Sequence, residues 1–251
     1  MQSEWITSRQ NPLIQHIKKL LNSKSYRMEC GEYAADGVKL LSEALRWNAP
    51  ITVLVETKDA VTDEIPMQVR RVTVPEELMQ FLSPMKAPQG VLFVCRLPEK
   101  KELTVPPKAL LLDGLQDPGN VGTILRTADA LSVPVLLTED CADPFNPKTI
   151  RATMGAAFRM DIRQAEREEI LSCCARNGIP IMATALSSRA VDIRSCELRG
   201  LIAIGSEGSG VSRSVLEAAE TELIIPMNAN CESLNAASAA TIVMWEMSQR
   251  R

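Results

Sequence analysis

Histidine is scarce in this sequence, because His16 is the only one among 251 residues. A catalytic triad built on histidine, an HExxH zinc site and a multi-histidine metal centre are therefore effectively excluded. The seven cysteines are an odd number and include no CxxC pair. Such cysteines indicate reduced thiols in a cytosol rather than a disulfide framework or a zinc site. We therefore expect a functional site without a metal.

Long apolar runs are also missing. No stretch approaches the roughly 18 apolar residues that a membrane-spanning helix needs. The first 15 residues (MQSEWITSRQNPLIQ) lack the basic region and apolar core of a secretory signal. With 45% hydrophobic and 24% charged residues, the composition is that of a globular protein. We expect a cytoplasmic protein with no membrane contact.

The charge balance excludes a uniformly basic nucleic-acid coat, because 28 basic residues face 31 acidic ones. Binding of RNA depends on where the basic groups lie rather than on their total. Residues 1–28 hold five basic residues against one acidic residue, Glu4. On this observation alone, the cluster is either a solvated helix face or a contact surface for nucleic acid.

Residues 97–108 (LPEKKELTVPPK) combine three prolines with clustered charges, which is typical of a linker. Before this linker, strands are predicted at 32–36, 51–56, 70–74 and 90–97, and helices from Pro12 and at 38–47 and 75–82. The alternation predicts a small α/β domain over residues 1–96.

After the linker, continuous apolar runs predict parallel strands that are covered on both faces. The runs are 109–115, 133–139, 179–186, 201–206 and 222–227, and helices are predicted at 121–131, 167–177, 212–220 and 234–249. We expect an open, mostly parallel α/β domain over residues 109–251. In such sheets ligands bind beyond the carboxyl ends of the strands.

The first loop of interest is 113–130 (DGLQDPGNVGTILRTADA). Pro118, Gly119 and Gly122 shape a tight exit from the strand, and Asn120 is a candidate helix cap. Arg126 follows about a turn and a half into the helix. Taken alone, the loop is more typical of a capped helix with an exposed arginine.

The second loop, 204–212 (IGSEGSGVS), has glycines at 205, 208 and 210, which permit close backbone approach. It has neither the GxGxxG spacing of a dinucleotide loop nor the lysine of a phosphate loop. Glu207 would repel a phosphate but would accept a hydrogen bond from a hydroxyl or an amine. A plain glycine-rich turn is the alternative.

The third loop lies within 225–241 (IPMNANCESLNAASAAT), where Ser233 and Asn235 flank Leu234 at a helix start. The small residues that follow would let this helix pack very close to a neighbour. Helix capping explains Ser233 or Asn235 alone. It does not explain why three such polar or small-residue loops recur in one α/β domain.

In order, these loops resemble the three motifs of the SpoU (TrmH-type) RNA 2′-O-ribose methyltransferases, in the SPOUT superfamily. The matching residues are Asn120, Gly122 and Arg126, then Gly205–Gly208, then Ile225–Met227 with Ser233, Leu234 and Asn235. Residues 146–160 resemble the family's Arg-x-Ser-x-Gly-Ala segment, with Thr153 in place of serine. The resemblance spans about residues 109–248.

The resemblance implies a fold and an assembly that periodicity does not give. It implies a deep trefoil knot in the C-terminal domain, although threaded chains are very rare, and it implies a homodimer. Residues 1–96 are more weakly similar to the family's substrate-binding domain. There Tyr33–Gly37 (YAADG) takes the place of a Phe-x-x-Glu-Gly stretch, with Asp36 in place of the glutamate.

The implied reaction is methyl transfer from S-adenosylmethionine to a ribose 2′-hydroxyl in structured RNA. The catalytic residues would be Arg126, Asn120, Glu207, Ser233 and Asn235. The cofactor would lie against Thr184, Ala185, Gly205, Glu207, Gly208, Ile225, Met227 and Leu234. RNA would contact Arg9, Lys18, Lys19, Lys24, Arg27 and Arg151.

The sequence also bears on functions other than this one. A nicotinamide-dependent oxidoreductase would need a GxGxxG turn that the sequence lacks. A non-catalytic RNA-binding protein with the same fold would have no physical need for the intact polar set. Within the family, an auxiliary N-terminal domain favours large-subunit ribosomal RNA over transfer RNA as the substrate.

Overall fold

The computed structural model describes residues 4–60, 64–228 and 230–249. The strands are β1 (Glu4–Trp5), β2 (Glu32–Asp36), β3 (Ile51–Glu56), β4 (Arg70–Thr73), β5 (Val91–Arg96), β6 (Lys108–Asp113), β7 (Val135–Thr138), β8 (Arg163–Ala165), β9 (Ile181–Thr184), β10 (Val191–Asp192), β11 (Gly200–Gly205) and β12 (Thr221–Ile224). The helices are α1 (Pro12–Asn22), α2 (Lys24–Cys30), α3 (Val38–Arg46), α4 (Glu76–Leu82), α5 (Pro118–Leu131), α6 (Pro147–Thr153), α7 (Arg167–Asn177), α8 (Arg213–Ala218) and α9 (Ala236–Gln249), with a 3₁₀ turn at Ala156–Phe158.

The chain forms two compact units. The first unit contains the described residues up to Lys100 together with Phe145–Arg159, and the second contains Lys101–Pro144 and the described residues from Met160 onward. The sequence predicts a second domain that continues without a break from residue 109. The segment Phe145–Arg159 differs from this prediction, because it belongs to the first unit. Its aromatic rings explain the difference. Phe145 lies 5.0 Å from Tyr33 and Phe158 lies 6.0 Å from Phe93, measured between ring centroids.

The first unit is built on a five-stranded sheet of order β1-β4-β3-β5-β2. Strands β1, β4 and β3 are parallel, and β5 runs antiparallel to both β3 and β2. The start of α1 follows directly from the sequence, because Pro12 occupies its first turn and the Asn11 side chain accepts a hydrogen bond from the amide of Leu13. The apolar face of α1 is then buried against the sheet through Ile14, Ile17 and Leu20.

The second unit is built on a seven-stranded sheet of order β10-β12-β9-β11-β6-β7-β8. All of its pairings are parallel. Leu110 and Leu112 of β6 pack with α5 and α9 on one face, whereas Ala109 and Leu111 pack with α7 on the other. Both faces are covered, which is why the strands read as continuous apolar runs. The predicted α/β fold with a mostly parallel C-terminal sheet is confirmed, and the trefoil knot stays a prediction.

Candidate active site

Helix α5 is capped by Asp117 rather than by Asn120. The Asp117 carboxylate accepts a hydrogen bond of 2.9 Å from the backbone amide of Asn120, and Pro118 occupies the first turn. Asn120 therefore lies inside the helix, and its side chain is not used for capping. The expected cap differs because an aspartate three residues earlier meets the same need.

The side chain of Asn120 joins the three loops that the sequence singles out. Its amide nitrogen donates to the carboxylate of Glu207 in the second loop. Its amide oxygen accepts a hydrogen bond of 3.1 Å from the amide nitrogen of Asn235 in the third loop. The structure thus brings three of the predicted catalytic residues into one hydrogen-bonded cluster.

The orientation of Asn235 is fixed by a second task. Its amide oxygen accepts from the backbone amides of Ala237 at 3.0 Å and Ser238 at 3.3 Å, at the start of α9. Because this oxygen faces the helix, the amide nitrogen is left to donate towards Asn120. The amide oxygen of Asn235 therefore caps the helix, while its amide nitrogen makes the contact between the loops.

The second loop is closed tightly upon itself. The backbones of Ser206 and Gly210 exchange hydrogen bonds of 3.1 and 2.9 Å. A Cβ built on Gly205 would lie 1.9 Å from the carbonyl carbon of Gly210, so only glycine fits there. A Cβ on Gly208 would meet no atom within 4 Å. The turn therefore holds Glu207 and Gly208 at an exposed tip.

A buried ion pair anchors the far end of this loop. The Asp113 carboxylate, at the end of β6 and 2% exposed, accepts a hydrogen bond of 2.6 Å from the backbone amide of Ser212. Its other oxygen accepts one of 2.7 Å from Nε of Arg167. Asp113 thus ties β6 to the residue that follows the glycine loop. The three motifs do not single out Asp113, although a carboxylate at the end of an apolar strand is a signal that the sequence contains.

Arg167 is shared among the three carboxylates of Asp113, Glu139 and Asp140, and this sharing affects the protonation of the guanidinium. Burial disfavours the charged guanidinium, but the hydrogen bonds and charges of Asp113 and Asp140 outweigh it and raise the pKa of Arg167. Burial likewise opposes the charge of Asp140, but hydrogen bonds from Thr138 and Arg167 leave its pKa below the ordinary value. Arg167 and Asp140 therefore both stay charged at neutral pH.

Apart from Leu234, the predicted cofactor residues lie at or just beyond the carboxyl ends of three neighbouring strands. Strand β9 pairs with both β11 and β12, so Thr184 and Ala185 follow a strand that lies between those leading to Gly205 and Ile225. Ile225, Met227 and Leu234 are half-buried. The strand ends thus combine small residues with partly accessible apolar side chains, which suits a planar, partly apolar ligand.

Arg126 lies apart from the Asn120 cluster. It is exposed on α5 and lines a groove with residues of α5 and of α9, namely Thr127, Ala130, Leu131, Thr241, Ile242 and Trp245. Arg126 makes no hydrogen bond or ion pair with any other residue that the structure describes. Ser233 is exposed in the third loop. The described contacts do not join either side chain to Asn120, Glu207 or Asn235.

The basic residues near the N-terminus divide into two groups. Arg9, Lys19 and Lys24 are exposed, and Lys18 is half-buried with its ammonium 4.7 Å from the centre of the Phe81 ring. Arg27 is only 2% exposed, and its guanidinium donates a hydrogen bond of 2.5 Å to the carbonyl of Leu20. Contrary to the prediction, the Arg27 cation therefore does not reach the surface. It satisfies a carbonyl at the end of α1 instead.

Arg151, the remaining predicted RNA contact, lies half-buried on α6 in the first unit. Its charge acts on Asp36, which is 4% exposed. Burial raises the pKa of Asp36, while a hydrogen bond from Ser83 and the charge of Arg151 oppose this rise. Arg151 therefore serves in part to balance a buried carboxyl group.

The described part of the chain holds neither a membrane-spanning helix nor a metal-binding cluster. No helix there is long and apolar enough to cross a bilayer. Nor do those residues contain a group of three or more His, Cys, Asp or Glu side chains that would hold a metal ion.

Comparison with known proteins agrees with the motifs. The model of the SpoU rRNA methylase family matches residues 107–245, and that of the MRM3-like substrate binding domain matches residues 11–92. The 23S rRNA (guanosine(2553)-2′-O)-methyltransferase RlmP of Bacillus subtilis is 31% identical, with 96% of this chain and 98% of the relative covered.

Two further proteins match over nearly their whole length. The 23S rRNA (uridine(2479)-2′-O)-methyltransferase of Streptomyces viridochromogenes is 28% identical, with 98% of this chain and 92% of the relative covered. The crystal structure of the AdoMet-bound rRNA methyltransferase from Sinorhizobium meliloti superposes with a TM-score of 0.86 at 27% identity, covering 99% of this chain and 98% of that one. The chain belongs to the SpoU rRNA methylase family.

Proposed function

We propose that this protein transfers a methyl group from S-adenosylmethionine to a ribose 2′-hydroxyl in large-subunit ribosomal RNA. The observation that carries the proposal is the hydrogen-bonded cluster of Asn120, Glu207 and Asn235, which joins the three loops at one edge of the parallel sheet. The family match, the MRM3-like substrate-binding domain and the ribosomal RNA relatives support the choice of substrate.

The cofactor would be held at the ends of β9, β11 and β12. Thr184, Ala185, Gly205 and Gly208 present little side-chain bulk there, and Ile225, Met227 and Leu234 offer apolar surface for the adenosine. When bound, S-adenosylmethionine supplies a methyl group made electrophilic by its sulfonium. Glu207, at the exposed tip of its loop, has one carboxylate oxygen engaged by Asn120. The rest of that carboxylate is able to accept hydrogen bonds from the cofactor or the ribose.

Arg126 would act on the RNA through its charge rather than as a base. A guanidinium keeps its proton in proteins, and its planar donors suit a phosphate or a developing alkoxide. Asn120, Ser233 and Asn235 would orient the ribose and the cofactor. Alignment of the reacting groups in this way lowers the activation free energy, by on the order of 7 kcal/mol in well-oriented systems.

We also propose that the protein is a homodimer whose two copies contact each other through the groove between α5 and α9. Trp245 is 54% exposed and Ile242 is 36% exposed on this face, beside Arg126. A second copy of the same apolar face would cover both side chains, as a self-complementary interface requires. It would also bring Arg126 to the interface, where this residue would belong to an active site shared between the two copies.

Substitution of Trp245 by glutamate tests the dimer. A buried, unpaired carboxylate at the interface should convert the protein to a monomer in size-exclusion chromatography with light scattering. The variant should also lose methyl transfer if the site is shared. A wild-type protein that is already monomeric at assay concentration would contradict the proposal.

RNA would be held by the exposed basic residues of the first unit. Arg9, Lys19 and Lys24, with Lys18 beside Phe81, would form a surface to which phosphates bind, and Arg151 would join them. The seven cysteines are all free, which agrees with a cytoplasmic location, where disulfides are rare.

The test of the substrate is transfer of labelled methyl groups to ribosomal RNA and, separately, to transfer RNA. We expect label in the large-subunit ribosomal RNA only. Label in transfer RNA would favour the related activity on that substrate. Failure to bind S-adenosylmethionine and to label any RNA would leave a non-catalytic RNA-binding protein as the better account.

A further inference from the structure

An exposed tryptophan lies beside two arginines on the first unit. Trp47 directly follows the last residue of α3 and keeps 45% of its surface exposed. The guanidinium of Arg46 lies 5.8 Å and that of Arg159 lies 5.4 Å from the centre of its ring. Both distances are within the roughly 6 Å over which a cation is attracted to an aromatic face.

This arrangement is held in place by contacts that do not depend on a ligand. Arg159 donates a hydrogen bond of 3.0 Å to the carboxylate of Glu43 on α3. A Cβ on Gly155 would lie 2.7 Å from Cγ of Glu43, so the absence of a side chain there lets the Phe145–Arg159 segment approach the helix. The Trp47 amide donates to the Glu43 carbonyl at 3.1 Å. The indole is therefore preorganised beside Arg159.

The charges around the indole favour a polyanion. The Arg46 side chain is 72% exposed, and the nearest Glu43 oxygen is 3.9 Å from its Nη1, beyond hydrogen-bond distance. Glu43, the carboxylate within reach of both arginines, is already engaged by Arg159. Donors of Arg46 are thus available to a phosphate that lies next to the ring.

We propose that Trp47 and Arg46, with Arg159, form an RNA contact in which an unpaired nucleobase stacks on the indole and the adjacent phosphate meets Arg46. The base must be unpaired because a base within a duplex has both faces covered by its neighbours. Tryptophan and arginine are among the side chains that bind single-stranded RNA by stacking. The inference deepens the proposed function and rests on it, because it takes RNA as the substrate.

The chain supplies a matched control for Trp47. Trp5 belongs to the same unit and is 56% exposed, and no cation over its ring is found among the described residues. The test measures binding of single-stranded oligo(uridylate) and of its duplex with oligo(adenylate) of the same length. The variants are Trp47→Ala, Trp47→Phe and Trp5→Ala.

We expect Trp47→Ala to bind the single strand about fivefold to 150-fold more weakly than wild type, which is the range for loss of one stacked base. Trp47→Phe should retain most of the affinity, and Trp5→Ala should match wild type. Duplex binding should not change. Arg46→Gln should lower the slope of log affinity against log salt by about 0.7, as expected for one lost phosphate contact on a single strand.

The inference is overturned if Trp47→Ala, with an unchanged thermal unfolding curve, binds the single strand as tightly as wild type. That result would leave a protein partner as the occupant of this surface. Because the assay needs no methyl transfer, its outcome is separate from that of the proposed function. A wild-type protein that methylates RNA while Trp47→Ala binds normally would remove this inference alone. A protein without methyl transfer whose Trp47→Ala variant loses binding would remove the proposed function alone.

Discussion

Asn120 donates a hydrogen bond to the carboxylate of Glu207, 87 positions away in the sequence. The contact links the first turn of α5 to the tip of the glycine loop after β11. The same Asn120 side chain accepts from Asn235. One amide group thus determines how three loops meet at the edge of the sheet.

Asn120→Asp should disrupt this meeting point, because an aspartate cannot donate and would place a second carboxylate against Glu207. We expect S-adenosylmethionine to bind about tenfold more weakly, the cost of one lost hydrogen bond at a site turned repulsive. Titration calorimetry measures the effect. The double variant Asn120→Asp with Glu207→Gln restores a donor opposite an acceptor and should recover cofactor binding. A double variant no better than the single one would contradict the role of this contact.

Gly205→Ala and Gly208→Ala form a matched pair within one loop. The added Cβ at Gly205 would lie 1.9 Å from the backbone of Gly210, whereas at Gly208 it would meet no atom within 4 Å. We expect Gly205→Ala to open the turn, to lower the unfolding temperature and to abolish cofactor binding. Gly208→Ala should leave the unfolding temperature unchanged. Equal melting curves for the two variants would show that the loop is not closed as described.

Arg126→Lys should be poorly tolerated although it keeps the charge. Lysine loses the planar fork that matches a phosphate or an alkoxide. We expect kcat for methyl transfer to fall by about 100-fold, as for removal of a donor at a developing negative charge. Stability should not change, since Arg126 is exposed. A variant that keeps most of the wild-type kcat would exclude both roles proposed for Arg126.

Stability should fall at alkaline pH because of the buried thiol of Cys95. Burial raises the pKa of Cys95 to about 12 from an ordinary value of 9.0, against a hydrogen bond with Tyr33 that lowers it. Below about pH 9 the thiol is protonated in both states, so its contribution is fully present. As the pH rises towards 12, only the unfolded chain ionises, and unfolding is favoured by about 1 kcal/mol per pH unit.

Urea unfolding at a series of alkaline pH values checks this expectation, with Cys95→Ala as the control. The slope of unfolding free energy against pH should be shallower in the variant. Tyr33, whose pKa burial also raises, adds to the slope in the same direction. A free energy of unfolding that increases with pH over this range would contradict the expectation, because a buried neutral thiol makes it decrease.

Long periodic segments of the sequence predicted the fold well. The predicted strands at 32–36 and 51–56 and the helix at 167–177 agree residue by residue with β2, β3 and α7. Short elements were missed, among them α2, α6, β8 and β10. A strand of two or three residues is too short to show a hydrophobic period, and a helix of seven residues shows barely two turns of one. Their existence depends on contacts made elsewhere in the chain.

Long-range contacts also explain what the sequence could not give at the site. Motif spacing identified Asn120, Glu207 and Asn235 but not the hydrogen bonds between them. The burial of Arg27 depends on the Leu20 carbonyl that it meets, which a local charge count does not reveal. The Asp113–Arg167 pair joins residues 54 positions apart, so neither residue signals the other in the sequence.

The most direct test is to digest labelled large-subunit ribosomal RNA with alkali after incubation with the protein and labelled S-adenosylmethionine. A 2′-O-methyl group blocks cleavage of the adjacent phosphodiester, so label should be recovered in an alkali-resistant dinucleotide. The Arg126→Ala protein should give no such product. Label released as ordinary mononucleotides would place the methyl group on a base and contradict ribose methylation.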